Sequence, residues 1–296
     1  MDFSDHIKAN RPQISENSIK TYNSILNSLF KKFSNEGDQL NVEWFHNEDN
    51  LINKLKDLPA NIRKTLFSAL ISVSPNDKNK KYKMAMMSDA QKYREDMLNQ
   101  TKTPQEEKNW VSQDEIKTKF DEMKKEVRGL WNKPNLTKGE YKQIQDFILL
   151  CLTSGVFIPP RRSLDWVNFK IKNINTDTNN YLDKNNLVFN AYKGSQQKGQ
   201  QVINIKGNPL LNLLKKFIKI NPFEYLIVDS NGGAMSAIKI NQHIKKIFNG
   251  KSGINIFRHS YLSDKYKMTQ MKELNEDAKQ MGTSPQMILN QYVKKD

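Results

Sequence analysis

Leu187-Val188-Phe189-Asn190-Ala191-Tyr192-Lys193-Gly194-Ser195-Gln196-Gln197-Lys198-Gly199-Gln200-Gln201-Val202-Ile203-Asn204-Ile205 is the stretch that decides how the rest of the chain is read. Its two ends, Leu187 to Tyr192 and Gln201 to Ile205, are short apolar runs bounded by turn residues, the pattern of strands. Between them Lys193 to Gln200 is polar and contains glycine, so it reads as the turn of a hairpin, with Lys193 and Lys198 on it. A third short strand is expected from Trp166 to Ile171.

Outside this region the apolar spacing is helical. Downstream, helices are predicted at Pro209 to Ile220, Ile238 to Phe248, Arg258 to Lys267 and Met271 to Met281. The last of these stops at Gly282, a C-cap, and Ser284 with Pro285 opens a final helix that carries Tyr292. Upstream, Ser112 and Glu115 form a capping box that starts a helical region running to about Leu152. The single Cys151 lies in the apolar run Phe147 to Leu152, where a buried, inert thiol is expected and no disulfide is possible within one chain.

The polar stretch Asn99 to Lys108 carries Pro104 and no periodicity, so the domain boundary is placed there. Before it, apolar residues at Ile19, Tyr22, Leu26, Leu29, Phe30 and Phe33 mark one face of a helix capped by Ser15. Helices follow at Leu51 to Leu58 and Ile62 to Val73, a break at Ser74-Pro75-Asn76-Asp77, and helix again to about Asn99. The expected fold class is therefore mainly α with a small antiparallel sheet (α+β) in two domains. Residues 1–103 form a helical N-terminal domain, 104–110 a linker, and 111–296 a domain with the three-stranded sheet.

Lys and Arg number 47 against 32 Asp and Glu, a net charge of +15 with a pI near 9.6, which suits an extended polyanion, nucleic acid first. The N-terminus lacks the apolar core of a signal peptide, and no stretch approaches the roughly 20 apolar residues of a membrane span. No membrane partner is expected, and the expected environment is intracellular and reducing. No His, Cys and Asp cluster has the spacing of metal ligands, so neither metal nor cofactor is expected.

Four features of the second domain belong together: Pro159-Pro160-Arg161-Arg162-Ser163-Leu164-Asp165, the turn lysine Lys193, Asn255-Ile256-Phe257-Arg258-His259-Ser260, and Met281-Gly282-Thr283-Ser284 followed by Tyr292. In order and spacing they resemble the catalytic domain of tyrosine recombinases, whose signature runs Arg, Lys, His-x-x-Arg, His or Trp, and Tyr. Arg162 corresponds to the first arginine because an acidic residue, Asp165, stands three positions on; Arg161 is the alternative. Lys193 corresponds to the hairpin lysine, Arg258 to the second arginine with His259 after it, and Tyr292 to the nucleophile, nine residues after Thr283. The sequence departs from the signature at Asn255, where the family has His, and at Thr283, where it has His or Trp.

The resemblance implies a site-specific recombinase or integrase that cleaves and rejoins double-stranded DNA through a 3′-phosphotyrosyl intermediate and a free 5′-hydroxyl, without cofactor or metal. Arg162 and Arg258 would clamp the phosphate and Lys193, or failing it Lys198, would protonate the leaving oxygen. His259 would assist, while Arg161, Asn255 and Thr283 would contact DNA phosphate. Neither Asn255 nor Thr283 is an acid-base group near neutral pH. The helical first domain would be the core-binding domain, with Lys20, Lys31, Lys32, Arg63 and Lys64 suited to phosphate contacts and duplex DNA clamped between the two domains. A homotetramer on two DNA sites is the implied assembly. With four residues after Tyr292, protomer contacts are expected on surfaces other than a C-terminal tail. The Pro-Pro-Arg-Arg form of the first feature is similar to versions in mobile elements and large DNA viruses. The same residues would also serve a type IB topoisomerase or telomere resolvase-like enzyme on a single duplex. Asn255 and Thr283 are the arguments for a non-enzymatic DNA-binding relative.

Overall fold

The structure, a computed structural model, describes residues 1–98, 101–266 and 268–288, and of residues 95–98, 268–270 and 272 it describes the backbone only. The chain forms two compact units, Met1–Thr101 and Lys102–Asp296. Its architecture is mainly α with one small sheet.

In the first unit the helices are α1 (Ser4–Asn10), α2 (Glu16–Phe33), α3 (Glu48–Leu55), α4 (Ala60–Val73) and α5 (Lys80–Leu98). Ser15 caps α2 by accepting from the Ser18 amide, as its position before the apolar stripe predicts. The stripe residues Ile19, Leu26 and Leu29 are buried with Phe3, Phe45, Phe67, Leu70 and Tyr82 in one core. The break after α4 is a short 3-10 turn over Asn76–Lys78. Helix α1 was not anticipated; Phe3 and Ile7 anchor it in the core, a tertiary gain that its seven residues could not supply alone.

The second unit opens with α6 (Pro104–Asn109), α7 (Gln113–Val127) and α8 (Lys138–Thr153). Two expectations are corrected here. The stretch read as a linker folds as α6, because Thr103 and Glu106 form a reciprocal capping box with Pro104 at the first turn. The helical region up to Leu152 is two helices, each with its own capping box, Ser112 with Glu115 and Thr137 with Glu140. Helix α8 is the centre of this unit: Phe147 to Thr153 are all buried, and α7, together with helices further along the chain, packs on it. The Cys151 thiol is fully buried there, and burial pushes its pKa up.

Next come α9 (Ser163–Val167) and the strands β1 (Phe169–Lys170), β2 (Asn180–Asp183), β3 (Asn186–Phe189) and β4 (Gln201–Asn204), with the one-turn α10 (Ser195–Lys198) inside the β3–β4 connection. The sheet has the order β1-β2-β3-β4, with β3–β4 and β2–β3 antiparallel and the two-residue β1 parallel to β2. Thus Trp166 and Val167, expected in a strand, end a helical turn, and β2 makes a fourth strand. What holds β2 is the buried Asn180 side chain: it donates to the Asp165 and Ala191 carbonyls and accepts from the Asn190 and Ala191 amides. The remaining helices are α11 (Pro209–Ile220), α12 (Ala237–Ile247), α13 (Ile254–Lys265), α14 (Met268–Gln280) and α15 (Pro285–Met287). Helix α13 begins four residues before the expected Arg258, which places Asn255 and Arg258 one turn apart on the same helix. Among the described residues no helix is long and apolar enough to cross a membrane.

Candidate active site

Arg161 and Arg162 stand just before α9, and Arg258 lies on α13. Helix α8 ends at Thr153 and the chain turns at Gly155, whose φ of +92° favours glycine. A side chain is excluded there for a second reason: a Cβ would lie 2.7 Å from a ring carbon of Tyr261. Tyr261 sits on α13, so this close approach seats that helix against the turn leading to Pro159-Pro160-Arg161-Arg162. Asn241 of α12 makes a second tie. Its amide donates to the Ser163 hydroxyl at 3.1 Å and its oxygen accepts from the Ile254 amide at 3.1 Å, joining the first residues of α9 and α13. The sequence reading missed Asn241, since nothing in the local pattern says that one side chain spans two helix starts.

The result is a cluster around one carboxylate. Asp165 is buried, and its Oδ2 accepts from Arg161 Nε at 2.9 Å. Its Oδ1 is buried without a hydrogen-bond partner among the described residues. Burial raises the Asp165 pKa above the usual carboxylate range, and the charges of Arg161, Arg162 and Arg258 all pull the other way. Three guanidiniums from two separate sequence features therefore act on a single carboxylate. The +3 spacing of Asp165 from Arg162 is met only by the backbone, where the Asp165 amide donates to the Arg162 carbonyl; the Asp165 carboxylate bonds Arg161. Arg162 is the N-cap of α9 with extended backbone (φ −67°, ψ 150°) and is exposed. Among the described residues neither Arg162 nor Arg258 donates a side-chain hydrogen bond.

Arg161 is occupied on every side. Besides Asp165 it donates from Nη1 to Gln201 Oε1 at 3.0 Å and lies 3.9 Å over the Phe189 ring. Only 14% of its side chain is exposed, which does not suit the DNA-phosphate contact expected of it.

The other expected site residues are less closely gathered. Lys193 stands just past β3 on the hairpin, exposed, with no hydrogen bond or ion pair to a described residue. Lys198 ends α10 on the same hairpin and is also exposed. Asn255 is exposed in the first turn of α13. His259, 53% exposed, has its Nε2 3.8 Å from Glu106 Oε1, and no described contact joins it to the arginines. Thr283 lies in the turn after α14, where its amide bonds the Ala278 carbonyl, and no described contact brings it to the arginines. Tyr292 lies outside the described residues. Among the described residues no group of three or more His, Cys, Asp or Glu is placed to hold a metal ion.

In the first unit, Arg63 is not available for phosphate: Asp89 takes its Nε and Nη2, and the Leu58 carbonyl accepts from Nη1. Charge is also distributed unevenly. Residues 1–101 hold 15 of the 47 Lys and Arg and 13 of the 32 Asp and Glu, so their net charge is +2 and residues 102–296 carry the other +13.

No protein-family model and no curated protein matches the sequence. Among solved structures the chain is similar to one described as the crystal structure of XerA recombinase, at 12% identity and a TM-score of 0.35, over 89% of this chain and 81% of that one. A likeness so slight carries no argument about the activity.

Proposed function

We propose that this protein is a DNA strand transferase that cleaves and rejoins duplex DNA through a 3′-phosphotyrosyl intermediate, the second unit carrying the chemistry. The observation that supports this most is the excess of cation over anion around Asp165: one carboxylate cannot balance Arg161, Arg162 and Arg258. A phosphodiester supplies the missing charge, and its demand grows as the reaction proceeds. When the Tyr292 oxygen bonds to phosphorus, negative charge builds on the non-bridging oxygens before the bond to the 5′-oxygen breaks. Guanidiniums beside the phosphate stabilise that charge through bidentate contacts.

Arg162 and Arg258 are the two arginines with side-chain donors to spare, so they hold the phosphate while Arg161 stays in the protein. Phenol has a pKa near 10, and cationic neighbours favour the phenolate that attacks. The leaving 5′-oxygen takes its proton from Lys193, whose unheld ammonium can reach out from the hairpin. Asn255, one turn before Arg258, is a hydrogen-bond donor to the same phosphate, and His259 and Thr283 give support. The exchange of one phosphate ester for another conserves bond energy, so rejoining needs no nucleotide. Site-specific exchange by four protomers on two DNA sites, for integration or excision of mobile or viral DNA, is the form of the reaction the sequence resemblance favours.

A non-enzymatic DNA-binding role is the second reading, favoured by the His259 side chain lying toward Glu106 and by Asn255 and Thr283 standing where acid-base groups are expected. Nicked duplexes that trap cleaved strands separate the two. The proposed activity yields a protein–DNA adduct that survives denaturant and disappears in Tyr292→Phe. DNA binding without any adduct from the unaltered protein leaves the binding role. Relaxation of a supercoiled plasmid without a partner site would mark the enzyme as a topoisomerase instead, and a lone protomer on paired sites would rule out the tetramer.

A further inference from the structure

We infer that Arg161 is a positioning residue, fastening the lysine hairpin to the arginine-bearing turn through Gln201 so that Lys193, Arg162 and Arg258 meet one phosphate as a set. The tie itself is geometric; only its consequence for cleavage rests on the function proposed above.

Phe189 and Gln201 are cross-strand partners at the root of the hairpin, one on β3 and one on β4. Arg161 engages both, stacking on the Phe189 ring at 3.9 Å and donating to Gln201 at 3.0 Å, while its Nε holds Asp165 at 2.9 Å. The neck of the hairpin is closed above this point by Tyr192, whose hydroxyl donates to the Gly199 carbonyl at 2.8 Å and whose ring is 5.4 Å from the Arg161 guanidinium. A planar fork with donors on separate edges can hold two acceptors and stack at once. An ammonium is a point charge and cannot. Arg161 thus joins three elements distant in sequence: the α9 start, β3 and β4. The Lys193 side chain itself has no hydrogen bond or ion pair to a described residue, so the position of that ammonium follows the backbone of the hairpin, whose root Arg161 ties to the arginine-bearing turn.

The test uses Gln201→Leu, which removes the acceptor, leaves the Arg161–Asp165 pair intact and alters a half-buried strand residue of similar size. Amide hydrogen exchange over residues 193–200 is expected to accelerate about tenfold, the factor that loss of one charge-assisted hydrogen bond sets. Single-turnover cleavage of nicked DNA is expected to fall by about the same factor with DNA affinity changed less than about twofold. Gln201→Glu, which restores an acceptor for Arg161, returns both readouts toward the unaltered protein. Unchanged exchange in Gln201→Leu, or a Gln201→Glu variant no better than Gln201→Leu, overturns the inference. If the unaltered protein forms no adduct, the proposed function fails and the exchange measurements alone decide whether the tie exists.

Discussion

Each unit of this protein buries an arginine–aspartate pair, and the two pairs are built for opposite ends. In the first unit Asp89 offers both oxygens to Arg63, whose remaining donors go to main-chain carbonyls between α3 and α4. The charges cancel one for one, and both carboxylate oxygens are taken by the one guanidinium. In the second unit Asp165 uses one oxygen on Arg161, keeps the other buried without a partner among the described residues, and feels the charge of two further arginines. A closed pair is a staple between α4 and α5. An open one, with more cation than anion around it, is where the proposed function puts the phosphate. The uneven net charges of +2 and +13 in the two units repeat the same contrast at larger scale.

Breaking the closed pair should cost the most. Asp89→Ala strands the Arg63 guanidinium and is expected to destabilise the first unit by about 3–5 kcal/mol in urea unfolding. Asp165→Asn keeps an acceptor for Arg161 and is expected to cost under about 2 kcal/mol; an equal loss in both would erase the distinction. For the chemistry the order reverses. Arg162→Ala or Arg258→Ala is expected to slow strand cleavage by about 100- to 1,000-fold, whereas Arg63→Ala, corrected for the folded fraction, leaves the rate unchanged.

The seating of α13 against the arginine turn is open to a smaller blow. Gly155→Ala combines a left-handed backbone with a clash against Tyr261 and is expected to lower stability by about 1–3 kcal/mol, read as a shift in the thermal midpoint. If that variant folds normally but cleaves slowly, the seat matters for alignment more than for stability.

The smallest effect is a pH signature whose sign differs between two carboxyls. The Lys133 ammonium, with the Thr137 amide and hydroxyl, holds Glu140 at a pKa of about 2. The stability this contributes is present above the ordinary carboxylate pKa and lost as pH falls toward that value. Asp165 runs the other way. Burial raises its pKa, so the native state holds its proton more tightly than the unfolded chain. That contribution is full below the ordinary pKa and lost as pH rises through the raised one. Melting curves across the acid range should therefore show Glu140→Gln converging on the unaltered protein at low pH, and Asp165→Asn gaining on it as pH rises. Parallel curves for both would refute the assignment.

Local chemistry made much of this architecture legible. Ser15, Ser112 with Glu115, and Ser284 cap helices as their positions predict, and α11 has the bounds that Pro209 and the apolar spacing imply. Helix α6 was legible too, in Thr103, Pro104 and Glu106, but was overlooked because the stretch is polar. Strand β2 was not legible: Asn180-Tyr181-Leu182-Asp183 becomes a strand through the contacts of one buried asparagine with residues 10 to 15 positions away. Of the candidate site, the arginines and the hairpin lysine are the residues the sequence nominates. Which of Arg161 and Arg162 bonds the Asp165 carboxylate could not be named from it.

The sequence by itself determined where the helices capped by Ser15, Ser112 and Ser284 and the one opened by Pro209 begin, that the sheet is small, and that the chain is strongly basic, because caps, periodicity and composition act within a few residues of each other. Tertiary structure alone decided that the Asp165 carboxylate, bonded to Arg161, also feels the charge of Arg258, that Gln201 and Asn241 tie together elements far apart in the chain, and that His259 lies toward Glu106. Those outcomes depend on which elements pack together, and a side chain's partner across 40 or more residues is fixed by the core between them.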